Sequence, residues 1–169
     1  MSFEFKISCP SGPVASSIAL EPLEDTADYE YLVMQGCRIL SDVGCSFHIA
    51  GFDSADWGFD VSYGMSTLIE QIPSLVESLK LNGTGEVDFY SQGVERGITF
   101  ERVDGSYEIH CHSRTSWKPS PSVERLDCAS VEDMLDDLTF DFSMILERAA
   151  SEISTLEPFR SWRRVHESP

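Results

Sequence analysis

Apolar and polar residues exchange places along this chain with two different periods. Residues 3–8, Phe-Glu-Phe-Lys-Ile-Ser, alternate strictly, which is the pattern of a half-buried strand. Pro10, Gly12 and Pro13 then interrupt the chain. Val14 to Leu20 reads as a second strand and the acidic Glu21 to Glu30 as a loop. Tyr31 to Leu40 has apolar clusters with no clear period and reads as a further strand. Two better alternations follow, Ser46–Phe52 and Trp57–Tyr63, separated by Asp53-Ser54-Ala55-Asp56. Turn-forming residues between two such runs predict a hairpin.

The period then changes to that of a helix. Leu68, Ile69, Ile72, Leu75, Val76 and Leu79 recur every three or four residues. Thr67-x-x-Glu70 has the form of a capping box, and Asn82-Gly83 the form of a helix stop. Pro73 conflicts with this stripe, since it removes a backbone donor, and predicts a kink or a helix start there. Strands are expected over Glu86–Tyr90, Gly97–Val103 and Ser106–Ser113, the last two joined by the hairpin dipeptide Asp104-Gly105. Trp117 to Pro121 is expected to be a loop. A second helix is expected from an Ser130 cap, burying Leu135, Leu138, Phe142, Ile145, Ala149 and Ile153 and ending at Pro158.

Strands joined by short turns, with two amphipathic helices to cover one face, define an α+β class. The expected architecture is two-layered, a mostly antiparallel sheet with both helices packed on the same side. With 169 residues, a single domain is expected. It divides into N-terminal strands and an acidic loop (1–43), a core sheet with helices (44–157), and a basic tail (158–169) that holds Arg160, Arg163 and Arg164.

Charge narrows the range of partners. There are 29 acidic and 12 basic side chains, a formal charge of −17. Such a chain is a poor ligand for phosphate backbones or anionic lipid, so neither nucleic acid nor membrane is an expected partner. There is no run of 18 apolar residues and no signal-peptide pattern, which gives a cytoplasmic expectation. The five cysteines, Cys9, Cys37, Cys45, Cys111 and Cys128, are odd in number and contain no C-x-x-C pair, so they read as buried thiols.

Candidate chemistry is sparse. There is no G-x-G-x-x-G, no P-loop and no G-x-S-x-G, and no cofactor is expected. If the helices cover one sheet face, alternation places His48, Asp60, Glu86, Asp88, Tyr90, Thr99, Glu101, Glu108, His110 and His112 on the other. That surface is either an ordinary solvated face or an acidic docking surface for a basic partner. Trp57, Tyr90 and Trp117 are the candidate aromatic anchors, Trp57 sharing core parity with Phe59 and Val61. Asp133, Asp136, Asp137 and Asp141 form a rival acidic surface, with helix-dipole compensation as their ordinary role. His110-Cys111-His112 sets two imidazoles on one side of a strand. With His48 they would make a three-histidine metal site, and a small metal-dependent enzyme is therefore the alternative reading.

Several segments in series resemble a known group. They are Phe47-x-x-Ala50-Gly51-Phe52, Trp57-x-Phe59-Asp60-Val61, Leu68-Ile69-Glu70-Gln71-Ile72-Pro73 and Glu86-Val87-Asp88-Phe89-Tyr90-Ser91-Gln92-Gly93, followed by a hairpin ending near His112. Over roughly residues 44–146 this order is similar to small bacterial immunity proteins encoded beside polymorphic or contact-dependent toxins. The resemblance implies a non-enzymatic protein that binds and neutralises a cognate toxin, often a basic one. It implies no catalytic residues. Partner binding is accordingly expected at Asp60, Glu86, Asp88, Tyr90, Glu101, Glu108 and Trp117.

Overall fold

The computed structural model describes residues 2–12, 20–91 and 93–164. The strand expected over Val14–Leu20 falls almost wholly outside them. Six strands and three long helices make an α+β fold: β1 (Glu4–Ser8), α1 (Tyr29–Asp42), β2 (Ser46–Ala50), α2 (Ser66–Asn82), β3 (Thr84–Phe89), β4 (Arg96–Val103), β5 (Ser106–Ser113), β6 (Val123–Asp127) and α3 (Cys128–Ala149). The short helices α4 (Ser151–Ser154) and α5 (Phe159–Arg164) follow. All the strand pairing is antiparallel, but it is divided between a two-stranded sheet, β1-β2, and a four-stranded sheet, β3-β4-β5-β6. One core joins both sheets to the helices, and Phe3 of the first sheet lies against Phe100 of the second.

Several expectations are corrected. Tyr31–Leu40 is helical, within α1, so the long helices number three and not two. Asp28 caps α1 by accepting the Tyr31 N–H, and the buried residues Leu32, Val33, Gly36, Cys37 and Leu40 follow a helical spacing. Gly36 and Cys37 hid this stripe, because neither is counted among the strong hydrophobes. The glycine fits a close approach, since a Cβ there would lie 3.1 Å from the Phe142 ring where α1 crosses α3, and that ring would have to give way.

Trp57–Tyr63 is not a strand of a hairpin. Trp57, Phe59 and Val61 are buried in alternation as expected, but the segment is extended without pairing and passes into a π-helical turn, Val61–Met65. Alternation reported burial, not strand pairing. The expected capping box is also absent. Asp60 caps the turn by accepting the Tyr63 N–H, while the Thr67 hydroxyl donates back to the Tyr63 carbonyl. Likewise Asp127, not Ser130, caps α3, with the Ser130 N–H and hydroxyl donating to its carboxylate.

In the tail, residues 159–164 form α5, which docks on α3 with Phe159 fully buried against Tyr29, Phe142 and Trp162. A further correction concerns cysteine. Cys9 and Cys45, which continue the β1–β2 register beyond Ser8 and Ser46, form a disulfide, leaving Cys37, Cys111 and Cys128 free.

Pro73 does not start α2, and the helix runs through it. A proline at 73 leaves the Ile69 carbonyl without its usual donor four residues on. The Tyr29 hydroxyl of α1 supplies that bond at 2.6 Å, and burial holds the phenol above its ordinary range, so it remains a donor. Two further side chains replace missing backbone partners. Gln71 of α2 donates to the Asp88 carbonyl (3.0 Å) and accepts the Asp88 N–H (2.9 Å), closing the outer edge of β3. The Glu124 carboxylate of β6 accepts the Phe3 N–H at 2.7 Å and also the Phe52 N–H, tying the two sheets together.

Two outcomes test this account. Tyr29→Phe should cost about 1–2 kcal/mol in urea unfolding, and markedly less in a Pro73→Ala background, where residue 73 can bond Ile69 itself. Equal costs in the two backgrounds would refute the compensation. Cys9→Ser should cost about 3–4 kcal/mol by loss of a crosslink between residues 36 apart, and denatured, unreduced protein should titrate with three thiols and not five.

Candidate interaction surface

The four-stranded sheet has one face on the core and one open. Val87, Phe89, Ile98, Phe100, Tyr107, Ile109 and Cys111 are buried on the inner face. Alternation therefore turns Glu86, Asp88, Thr99, Glu101, Glu108, His110 and His112 outward, as expected, and each of them is exposed or half-buried. The register sets their neighbours. Glu101 stands directly opposite Glu108 across β4 and β5, and Glu108 opposite Arg125 on β6. Thr99 stands between Glu86 and His110. Asp88 is held by Arg114 at 2.6 Å. Like charges directly opposite on a sheet work against folding, a cost that Arg125 opposite Glu108 and His110 at 3.9 Å from it offset only on the Glu108 side.

Asp60, Tyr90 and Trp117 lie elsewhere, at the end of the sheet formed by the β3–β4 turn. Asp60 is a cap and not a member of the sheet. Tyr90 lies one residue beyond β3, is 59% exposed, and donates to Glu70 of α2, a bond that holds its phenol above the ordinary range. Trp117 covers Arg96, whose guanidinium lies 3.9 Å from the Trp117 ring centre and 4.7 Å from that of Trp57. Trp57 itself is core, packed against Phe52, Phe59 and Phe89. Burial draws the Arg96 guanidinium below its ordinary range, and its Nε and Nη1 are covered without a hydrogen-bond partner. Stacking on two indoles is the interaction that offsets this cost.

Sequence reasoning missed Arg96 and Tyr63. Arg96 shares strand parity with Ile98 and Phe100, so a lone cation at a core-facing position was the available signal. Tyr63, 72% exposed, had been placed in a strand. It borders a cavity of 380 Å³ with Phe59, Asp60, Phe89 and Val94.

The structure does not assemble the three histidines. His48 belongs to the two-stranded sheet, between Glu4 (3.7 Å) and Asp56 (3.6 Å), whereas His110 and His112 belong to β5. Among the described residues no group of three or more His, Cys, Asp or Glu side chains is placed to hold a metal ion. Cys111 points to the core, away from both neighbouring imidazoles, and burial pushes its thiol up to about 11 against the pull of Arg96. A thiol so shifted is a poor nucleophile at neutral pH. Also among the described residues, no helix is long and apolar enough to cross a membrane. Comparison with known protein families, characterised proteins and solved structures finds no match for this chain.

If Arg96 is held by stacking rather than by its charge, Arg96→Lys should destabilise the protein by about 1 kcal/mol and shift tryptophan emission. An unchanged denaturation midpoint and spectrum would show that the planar stack contributes nothing.

Proposed function

We propose that this protein is an acidic binding protein that neutralises a cognate bacterial protein toxin by docking on it, without turnover of a substrate. The observation that carries this reading is the open sheet face, with Glu86, Asp88, Glu101 and Glu108 on one solvated surface and two of them directly opposed. A basic partner surface relieves that repulsion, which gives a reason for an arrangement that folding alone does not favour. The excess of 29 acidic over 12 basic residues extends the attraction beyond contact range and speeds encounter. Tyr90, one residue beyond β3, is of the residue type that anchors interfaces once desolvated. The resemblance to immunity proteins over residues 44–146 supports the same partner class. A cytoplasmic location belongs to this proposal, and the Cys9–Cys45 disulfide weighs against it, because disulfides persist in oxidising compartments.

The test begins with partner capture from the native host. The triple variant Glu86→Lys, Glu101→Lys and Glu108→Lys should then fold normally and associate with that partner about tenfold more slowly at low salt. The difference should shrink as the Debye length falls from about 10 Å at 0.1 M salt to about 3 Å at 1 M. An association rate equal to that of the wild type at low salt would remove the open face from consideration.

A further inference from the structure

Of the outer strand edges of the two sheets, the fold treats those of β3 and β1 differently. Gln71 fills the outer edge of β3 with its amide. Among the described residues β1 is paired with β2 alone, and no strand pairs with its other edge. The direction of that edge follows from two bonds. The Ile49 carbonyl accepts the Trp57 N–H and so points away from β1. Phe5, its partner across the register, must then direct its own N–H and C=O away from β2, and Ile7 does the same two residues on. Phe3 completes the series, with its outward N–H taken by Glu124 of β6.

These backbone groups border a groove of 480 Å³. One wall is the chain from Ser2 to Ile7 and the other is α3 from Ser130 to Asp141, each about 16 Å long. Leu126, Met134 and Leu138 give it an apolar lining. Asp133, Asp137 and Asp141 project along it one helical turn apart. Asp133 and Asp137 are exposed and have no ion-pair or hydrogen-bond partner among the described residues. Lys6 is the single basic residue of the lining.

We propose that this groove binds an extended, basic polypeptide segment of a partner protein. The segment adds to β1 as a strand and sets alternate lysine or arginine side chains against Asp133 and Asp137. The spacing supports this arrangement. Alternate residues of a strand lie about 6.7 Å apart on one side, and successive turns of α3 about 6 Å apart. Main-chain bonds to the Phe5 and Ile7 groups supply affinity, and the aspartates select for charge. Two arginines of the tail are engaged elsewhere, Arg160 with Glu157 at 2.7 Å and Arg163 between Glu147 and Ser143. A second copy would bring an equally acidic groove wall against this one. The inference does not rest on the open-face reading, since neither aspartate lies on that face.

The experiment uses an acetylated, amidated peptide of about seven residues that alternates arginine with threonine. Titrated into the full chain, it should shift the amide resonances of Phe5 and Ile7. The Asp133→Asn, Asp137→Asn double variant should bind it about tenfold more weakly. A peptide of the same charge, N-methylated at the residues facing β1, cannot donate to the strand edge and should bind about tenfold more weakly to the wild type. Equal binding of the methylated and parent peptides would overturn strand addition in favour of non-specific attraction. Shifts confined to residues 84–113 would overturn the groove while leaving the open face intact. A concentration-dependent dimer that the peptide does not dissociate would identify a second copy as the occupant. The methylated-peptide arm requires no variant, so a misfolded double mutant leaves the test in force.

Discussion

The Glu124 carboxylate is the contact on which the assembly of this fold depends. It projects from β6, an edge strand of the larger sheet, and accepts backbone N–H groups from Phe3 and Phe52, which flank the smaller sheet. Charge-assisted bonds of this kind are roughly twice as strong as neutral ones, and removing the acceptor would leave two amide donors unmade. The two sheets share no ladder, so this side chain substitutes for one. It also shapes what lies beside it. By closing the gap between β1 and β6 at one end only, it leaves the rest of the β1 edge facing α3 as a groove.

The same device recurs twice in α2. Tyr29 replaces the donor that Pro73 lacks, and Gln71 replaces the strand that β3 lacks. In each case a side chain from one element completes the backbone bonding of another, so helices and sheets are matched in register as well as by apolar contact. Buried backbone groups are nearly always paired, and this fold meets that demand with side chains where its secondary structure falls short. The contrast with the unfilled edge of β1 is what makes that edge notable.

Charge is distributed less economically. The open sheet face and the α3 wall both collect carboxylates, while Arg96 is held between indoles and Arg160 on Glu157. Arg114 pairs with Asp88 of the open face, but Glu86, Glu101, Asp133 and Asp137 have no ion-pair partner among the described residues. A protein that recognises a basic partner has a use for this arrangement. Self-repulsion is its cost to folding, and a core extending from Phe3 to Phe159 is what withstands it.

Periodicity alone was enough for the elements whose pattern is local: β1, β2, α2 with its Gly83 stop, the β4–β5 hairpin around Asp104-Gly105, the body of α3 and the α+β class. It was also enough for the open-face set Glu86, Asp88, Glu101 and Glu108, because alternation within a correctly read strand fixes sidedness. Tertiary structure decided the rest. Whether Trp57–Val61 pairs with a strand depends on what lies beside it, and the same buried alternation serves an unpaired segment. The stripe of α1 runs through Gly36, whose packing against Phe142 lies 106 positions away in sequence and gives no local apolar signal. Asp60, Tyr90 and Trp117 left the open face, and His48 parted from His110 and His112, because the division into two sheets is a property of long-range packing. The groove, the Arg96 stack and the Glu124 tie are likewise meetings of residues far apart in the chain, and no local pattern encodes such meetings.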